Sequence, residues 1–485
     1  MFNFAAMNIR DLEPTIVWNH FADLNNVPRP SKKEDKVIAF MQDFGSKLNL
    51  DTYTDKVGNV IIKKPASPGM EDCQTVIMQS HLDMVHQKNA DTTFDFETQG
   101  IEMYIQDDWV RARGTTLGAD NGMGVAAIMA VLSATNLKHP PIEALFTIDE
   151  ETGMTGAMEL EKGKLNGTIL LNLDTEDDDE FSIGCAGGID TNTSYKYAEV
   201  PIMTGSETYK ITVNGLNGGH SGVQINEELG NANKIMNRLI YDCQDYNLQI
   251  IEIDGGSLRN AIPRESFATI SVNPSYLPLF KERAQDIRKE FSIQDPNLSI
   301  NIESQKRVNY GMSLEDTAKI TAAIYACHNG VFRYSQAIAG LVETSSSLAR
   351  VIVKNGEFIT QSLQRSSLET GKYDVANTVA APFKLMGCKI EHGGSYPGWS
   401  PNPASQILTL LVEKYETLFN SKPKVMAIHA GLECGLLGER YPGIDMISFG
   451  PTIKGAHSPD ERCSISSTAK FWEFLLVILE NIPKK

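Results

Sequence analysis

Four separate stretches of this sequence place a histidine or a carboxylate where a short apolar run stops, and a fifth places one where an apolar run begins. His81 and Asp83 follow TVIMQ at 75–79, Glu150 and Glu151 follow ALFTI at 144–148, and Asp174 closes TILLNLD at 168–174. His457 lies in the loop after MISFG, and Asp120 stands within GADNG at 118–122, just ahead of an apolar segment. Taken singly each has an ordinary reading. Asp120 could cap a helix, and a lone His or a Glu–Glu pair after a strand is commonly solvated. Repeated at strand after strand, the placement instead delivers these groups to the carboxyl edge of an open α/β sheet, where ligands bind.

Carboxylates brought to one place repel, and must protonate or move apart unless a cation sits among them. Histidines mixed with acidic residues offer N and O donors that suit Zn²⁺, with Mn²⁺ or Co²⁺ as substitutes. Two ions fit the donor set if one carboxylate bridges, and Asp120 is the best candidate because glycines flank it. Ions roughly 3.5–4 Å apart would clamp a water and lower its pKa toward about 7. The Glu150–Glu151 pair offers one residue as ligand and one as proton acceptor, since adjacent side chains at a strand end point in different directions. Asp83, two residues from His81, could orient its imidazole through the other ring nitrogen.

These groups need elements to hold them. Up to about Asp190 the apolar runs read as buried strands, and GMGVAAIMAVL at 122–132 reads as a helix packed on a sheet, which suggests parallel strands. From about Tyr195, TYKITV (208–213), LQIIEI (248–253) and SFATISV (266–272) alternate like half-exposed strands, with helices over 279–290 and 314–328. The Gly-, Pro- and Ser-rich run GGSYPGWSPNP from Gly393 predicts a connector. A helix over 406–419, strands over 425–428 and 446–449, and a helix over 468–481 then complete the first sheet. The expected fold is α/β: a catalytic domain with a mostly parallel central sheet flanked by helices, plus an inserted α+β lid domain. Its boundaries are 1–187 and 399–485 for the catalytic domain and 188–398 for the lid. The charge run EDDDE at 176–180 reads as a solvated turn.

Length and composition narrow the class. At roughly 150 residues per domain, 485 residues imply two or more domains. With Lys+Arg 44 against Asp+Glu 61 and a net charge of −17, nucleic acid and anionic membrane surfaces are poor partners. Seven scattered cysteines read as thiols in a reducing compartment. The start, MFNFAAMNIRDLEPT, shows no secretory pattern and no apolar run is long enough to span a bilayer, so a cytoplasmic protein is expected.

The motifs HLDMV (81–85), GADNG (118–122), DEETG (149–153), GGHSG (218–222) and GPTIKGAHSPDE (450–461) resemble the two-zinc peptidases, the family of carboxypeptidase G, aminoacylase and the carnosinases. GCAGGID (184–190), LRNAIPRE (258–265), LVETS (341–345), SYPGW (395–399) and HAGLECGL (429–436) carry the resemblance further, to its bacterial aminoacyl-histidine dipeptidases. The resemblance implies one metal held by His81, Asp120 and Asp174, and another held by Asp120, Glu151 and His457. It implies Glu150 as general base and Asp83 as the orienting carboxylate, and a cis bond at Asp120–Asn121. It further implies a lid that mediates a homodimer, with His220 reaching the active site from the partner subunit to stabilise an oxyanion. Asn260 and Arg365 match lid positions that contact substrate, the arginine through its planar fork on a terminal carboxylate. Glu433, on a loop close to His457 in the family arrangement, is a candidate for the substrate ammonium. His86 stands where proline is common in the family, and is read as a non-ligand. His20, His139, His328, His392 and His429 have no metal-like context.

The expected activity is metal-dependent hydrolysis of dipeptides, Xaa-His substrates of the carnosine type included. N-acyl amino acid deacylation or tripeptide trimming at the same two-metal site is the alternative, and an inactive metal-binding homologue the alternative of another class.

Overall fold

The computed structural model describes residues 8–485. The first seven residues, part of the stretch searched for a targeting signal, lie outside the described residues. The chain forms two compact units. The first runs up to Gly184 and resumes over Pro401–Ala427 and Leu432–Lys485, and the second comprises Cys185–Ser400 and Ile428–Gly431.

In the first unit the apolar runs become strands because each can be covered on both faces. β1 (Val76–His81) is buried throughout. Helix α1 (Ala119–Ser133) is apolar on every side and buried from Asn121 to Leu132, as a helix sandwiched in a core must be. It leads to β2 (Ile142–Thr147), then to the short helix α2 (Glu150–Gly153) and to β3 (Ile169–Asn172). After the second unit the chain returns through α3 (Glu433–Arg440), β4 (Asp445–Ser448) and α4 (Ile465–Glu480). In the eight-stranded sheet β2, β1, β3 and β4 are consecutive neighbours and pair in parallel. The strands beyond them include antiparallel ones at Val60–Lys64 and Glu180–Cys185, so the parallel order belongs to the centre of a mixed sheet.

Helix α4 begins at Ile465, ahead of the expected 468, because the Ser464 hydroxyl accepts the Ser467 N–H at 3.1 Å and caps it. The acidic run 176–180 does form a turn, but it is not simply solvated. Lys454, Lys470 and Lys424 pair with Asp177, Asp178 and Asp179.

The second unit is built on a nine-stranded sheet whose neighbouring strands pair antiparallel. Half-exposed alternation is visible in Gly187–Lys196, where Ile189, Thr191 and Thr193 point inward. One apolar core joins the sheet to helices Ala232–Tyr241, Leu277–Glu290, Leu314–Ala326 and Glu369–Met386. Of the connector expected from Gly393, the first four residues are instead the end of a strand, Lys389–Tyr396, paired with Gly187–Lys196, and the remainder runs outside any helix or strand. The glycines mark an irregularity in that ladder: Gly394 has a left-handed φ of +56°, and the register shifts between Gly393 and Tyr396. Among the described residues no helix is long and apolar enough to cross a membrane.

Candidate active site

The parallel pairing brings the C-terminal ends of β1, β2, β3 and β4 to one edge of the first unit's sheet. His81 is the last residue of β1, Glu150 and Glu151 open α2 just past β2, and Asp174 follows β3 by two residues. His457 sits beyond β4, between two short strands at Ile453–Lys454 and Arg462–Ser464. Asp120 is in the first turn of α1, where its backbone and that of Asn121 depart from helical geometry and the peptide bond between them is cis.

The structure gathers these side chains into two triads that share Asp120, His81–Asp120–Asp174 and Asp120–Glu151–His457, and it also brings Glu150 and Glu151 together with His81. Asp120 faces both ways: its Oδ1 lies 3.2 Å from His81 Nε2, and its Oδ2 lies 3.2 Å from His457 Nε2. Asp174 Oδ1 is 3.6 Å from His81 Nε2, and Glu151 Oε2 is 3.0 Å from His457 Nε2. Glu150 stands outside both triads, with Oε2 3.9 Å from His81 Nε2.

The surroundings orient each donor. His81 Nδ1 lies 3.1 Å from the carbonyl oxygen of Asp83 and 3.4 Å from its Oδ1, which places the proton on Nδ1 and leaves the Nε2 lone pair for a metal. The Asp83 carboxylate accepts the N–H groups of Glu150 and Glu151 at 3.0 and 3.3 Å and the Ser31 hydroxyl at 2.8 Å. It therefore fixes the start of α2 as well as the imidazole. The Asn121 amide donates to Asp174 and to the Leu173 carbonyl. An all-carboxylate trio beside them, Glu34, Asp83 and Asp149, already has a cation in the Lys32 ammonium on Asp149.

The donor set fits divalent cations, and its electrostatics show why. Burial first, and then the charges of neighbouring carboxylates, push Glu150 and Asp174 well above the usual carboxylate range against the pull of His81. Hydrogen bonds to Asp120 and Glu151 raise His457 to about 11. Burial would lower His81, but Asp174, Asp120 and Asp83 raise it well above its ordinary value. Burial would raise Asp120, yet its bonds to His457 and His81 hold it far below. Glu151 Oε1 is buried with no hydrogen-bond partner. Without metal the site must take up protons; with metal it need not.

That has a measurable consequence. In metal-stripped protein the folded state holds protons on Glu150, Asp174, His81 and His457 that the unfolded chain releases at lower pH. Between the ordinary range of these groups and their raised values the folded state binds more protons, so stability falls as pH rises. Asp120, held low, acts only well below this window. Thermal unfolding after chelation is expected to give a higher Tm at about pH 5.5 than at about pH 8, a difference that added divalent metal flattens. A chelated Tm that rises with pH would refute the charge-crowding account.

Within the second unit, His220 pairs with Ala261 in a two-residue ladder, and the exposed Asn260 accepts the Ser221 N–H at 2.8 Å through its carbonyl. His220 Nδ1 accepts the N–H groups of Gly222 and Val223 at 3.2 and 3.0 Å. The ring proton must therefore sit on Nε2, which lies 3.5 Å from Arg365 Nη2. Burial and the Arg365 charge pull His220 to about 4, so it is a neutral N–H donor at neutral pH. Arg365 is buried and fixed by the Tyr396 hydroxyl at 3.0 Å. Gly222 is required here, because a Cβ would lie 2.1 Å from the His429 carbonyl and 2.9 Å from Arg365. His429, read from sequence as a bystander, lies in this cluster with Nε2 2.7 Å from the Ser345 hydroxyl.

Glu433, in the first unit, is buried with Oε2 accepting from Gln79 and Thr147 at 2.6 and 2.7 Å. Its Oε1 has no hydrogen-bond partner among the described residues, and burial raises its pKa to about 7. Sequence reasoning missed two further buried groups, Arg29 and Glu461, which act on backbone that no side-chain pattern reports.

The model of peptidase family M20/M25/M40 matches residues 77–481. The chain belongs to this family. It is 41% identical over 482 residues to the cytosol non-specific dipeptidase of Escherichia coli (strain K12), covering 98% of this chain and 99% of that protein. It is equally similar, at 41% identity, to the crystal structure of aminoacylhistidine dipeptidase from Vibrio alginolyticus, with a TM-score of 0.93 and 99% of each chain covered. A tripeptidase from Staphylococcus aureus shares the fold at 15% identity, with a TM-score of 0.56 over 97% of this chain and 99% of that one.

Proposed function

We propose that this chain is a two-metal dipeptidase that hydrolyses dipeptides, Xaa-His substrates of the carnosine type included, in the cytoplasm and as a homodimer through its second unit. The activity rests on membership of the peptidase family and on 41% identity over nearly the whole chain to two proteins named as dipeptidases. The cytoplasmic assignment draws on the name of the Escherichia coli relative, and the homodimer on the motif resemblance.

One observation carries the two-metal reading: the oxygens of Asp120 face His81 and His457 separately. His81, Asp120 and Asp174 would hold one ion and Asp120, Glu151 and His457 the other. Zn²⁺ suits these N and O donors best, with Co²⁺ or Mn²⁺ as substitutes. Bound ions would supply Lewis acidity at the peptide carbonyl and lower the pKa of a water. Glu150, outside both triads, takes a proton from the attacking water and returns it to the leaving amine nitrogen. Asp83 keeps His81 in the tautomer that offers Nε2 and holds the turn that carries Glu150 and Glu151. For substrate, His220 Nε2–H serves an oxyanion, Arg365 pairs its fork with the terminal carboxylate, Asn260 adds a polar contact, and the unpartnered oxygen of Glu433 meets the ammonium.

A substrate panel run on metal-stripped and Zn²⁺-reloaded protein tests the reading. Histidine release from Xaa-His dipeptides is expected only after reloading, with N-acetyl amino acids and tripeptides turned over far more slowly. Full activity without metal defeats the two-metal mechanism, and a preference for N-acetyl amino acids or tripeptides replaces the dipeptidase assignment.

A further inference from the structure

The turn that carries Asp120 is gripped on both of its backbone faces by buried charges from remote parts of the chain. Glu461 accepts four consecutive N–H groups: Leu117 and Gly118 donate to Oε2 at 2.7 and 2.9 Å, and Ala119 and Asp120 to Oε1 at 2.7 and 3.2 Å. From the other side Arg29 Nη2 donates to the Gly118 carbonyl at 2.6 Å and to Asn25 Oδ1 at 3.1 Å. Asn25 in turn donates to the Leu117 carbonyl at 3.0 Å. The other arm of the guanidinium, Nη1, donates to the carbonyls of Leu82 and Asp83 at 3.1 and 3.2 Å. Both residues are almost fully buried, Arg29 at 1% and Glu461 at 2% exposure.

The glycines flanking Asp120 belong to this arrangement. A Cβ at Gly118 or at Gly122 would lie 2.6 Å from Arg29 Nη2, and Gly118 has a left-handed φ of +68°. The room that the sequence suggested for a metal is used by the guanidinium.

We infer that Arg29 and Glu461 are a pair of positioning residues that lock three ligand-bearing segments into one metal-binding geometry. The Asp83 carbonyl held by Arg29 is also the oxygen nearest His81 Nδ1, so Arg29 ties the segment of His81 to the turn of Asp120. Glu461 lies four residues beyond His457, in a loop closed by its own N–H on the Ser458 carbonyl and by the Ser458 hydroxyl on the Gly455 carbonyl. It therefore ties the segment of His457 to the same turn. A planar fork and a two-oxygen acceptor suit this task, because each reaches two points at once. Neither residue touches substrate; both act through the ligands they place.

The inference rests on the two-metal reading, and the test separates the two. Metal-stripped wild type, Arg29→Lys, Glu461→Asp and Glu461→Gln are titrated with Zn²⁺ against a chromogenic chelator, with circular dichroism and thermal melts in parallel. Wild type is expected to take up two ions, and its failure to do so removes the two-metal reading itself. Arg29→Lys keeps charge without the fork, Glu461→Asp keeps charge without the reach, and Glu461→Gln sets an amide NH₂ against backbone donors. Each is expected to stay folded and to bind metal about 10–100-fold more weakly. At saturating Zn²⁺ KM for a dipeptide should stay near the wild-type value. Wild-type metal affinity in these variants overturns the inference, and so does loss of the fold in all of them, which would make the pair a folding element.

Discussion

Glu150→Gln is expected to lower kcat for dipeptide hydrolysis by about 10³-fold, within the 10²–10⁴-fold span of general base catalysis, while both metal ions stay bound. The reasoning is geometric. Each triad is complete without Glu150, whose nearest approach to a triad histidine is 3.9 Å. Glutamine preserves its volume and one carbonyl oxygen, and the N–H of residue 150 can still donate to Asp83. What disappears is the ability to accept a proton and hand it on. Burial raises this carboxyl above its ordinary range, the direction in which a base gains efficiency. Steady-state kinetics with elemental analysis of the same preparation checks both halves. A kcat within tenfold of wild type removes Glu150 as the base, and loss of one metal makes it a ligand.

How much of this was legible in the sequence depends on the physical origin of each feature. β1, β2 and β3 are buried on both faces, so they read as largely apolar runs, and a charged residue or histidine at their ends is conspicuous for that reason. That is why His81, Glu150, Glu151 and Asp174 could be picked out before the fold was known. Strands such as Met103–Gln106 and Trp109–Ala112 are four residues long and half-exposed, too short to show a period. The strand Lys389–Tyr396 hides behind Gly393 and Gly394, which sit where its ladder shifts register and read from sequence as a turn. Arg29 and Glu461 were invisible for another reason. Their partners are main-chain carbonyls and amides about 50 to 340 residues away, and backbone groups carry no residue-type signature. Glu461 even lay inside a recognised motif, but an Asp–Glu pair in a loop looks solvated until its burial is known. His429 has no metal-like neighbour near it in sequence, yet burial and the Arg365 charge lower its pKa to about 3, so it is a neutral member of the cluster with His220 and Arg365.

Asp120→Ala is expected to abolish binding of both ions, and activity with them, whereas His457→Ala should remove one ion and leave the other. The asymmetry follows from the carboxylate facing two histidines with two different oxygens. Deleting it leaves His81 with Asp174 on one side and Glu151 with His457 on the other, two protein donors each where a catalytic zinc site commonly has three. Deleting His457 spares the whole of the His81–Asp120–Asp174 triad. The loss in Asp120→Ala should not be a loss of fold. Glu461 and Arg29 grip the turn through backbone groups that alanine retains, so the helical signal should survive while the metal content after dialysis falls to background. Elemental analysis and circular dichroism on the two variants therefore read the bridge directly. Retention of one ion in Asp120→Ala means that the carboxylate serves a single site, and the histidine it faces on the other side must then be held by the protein alone.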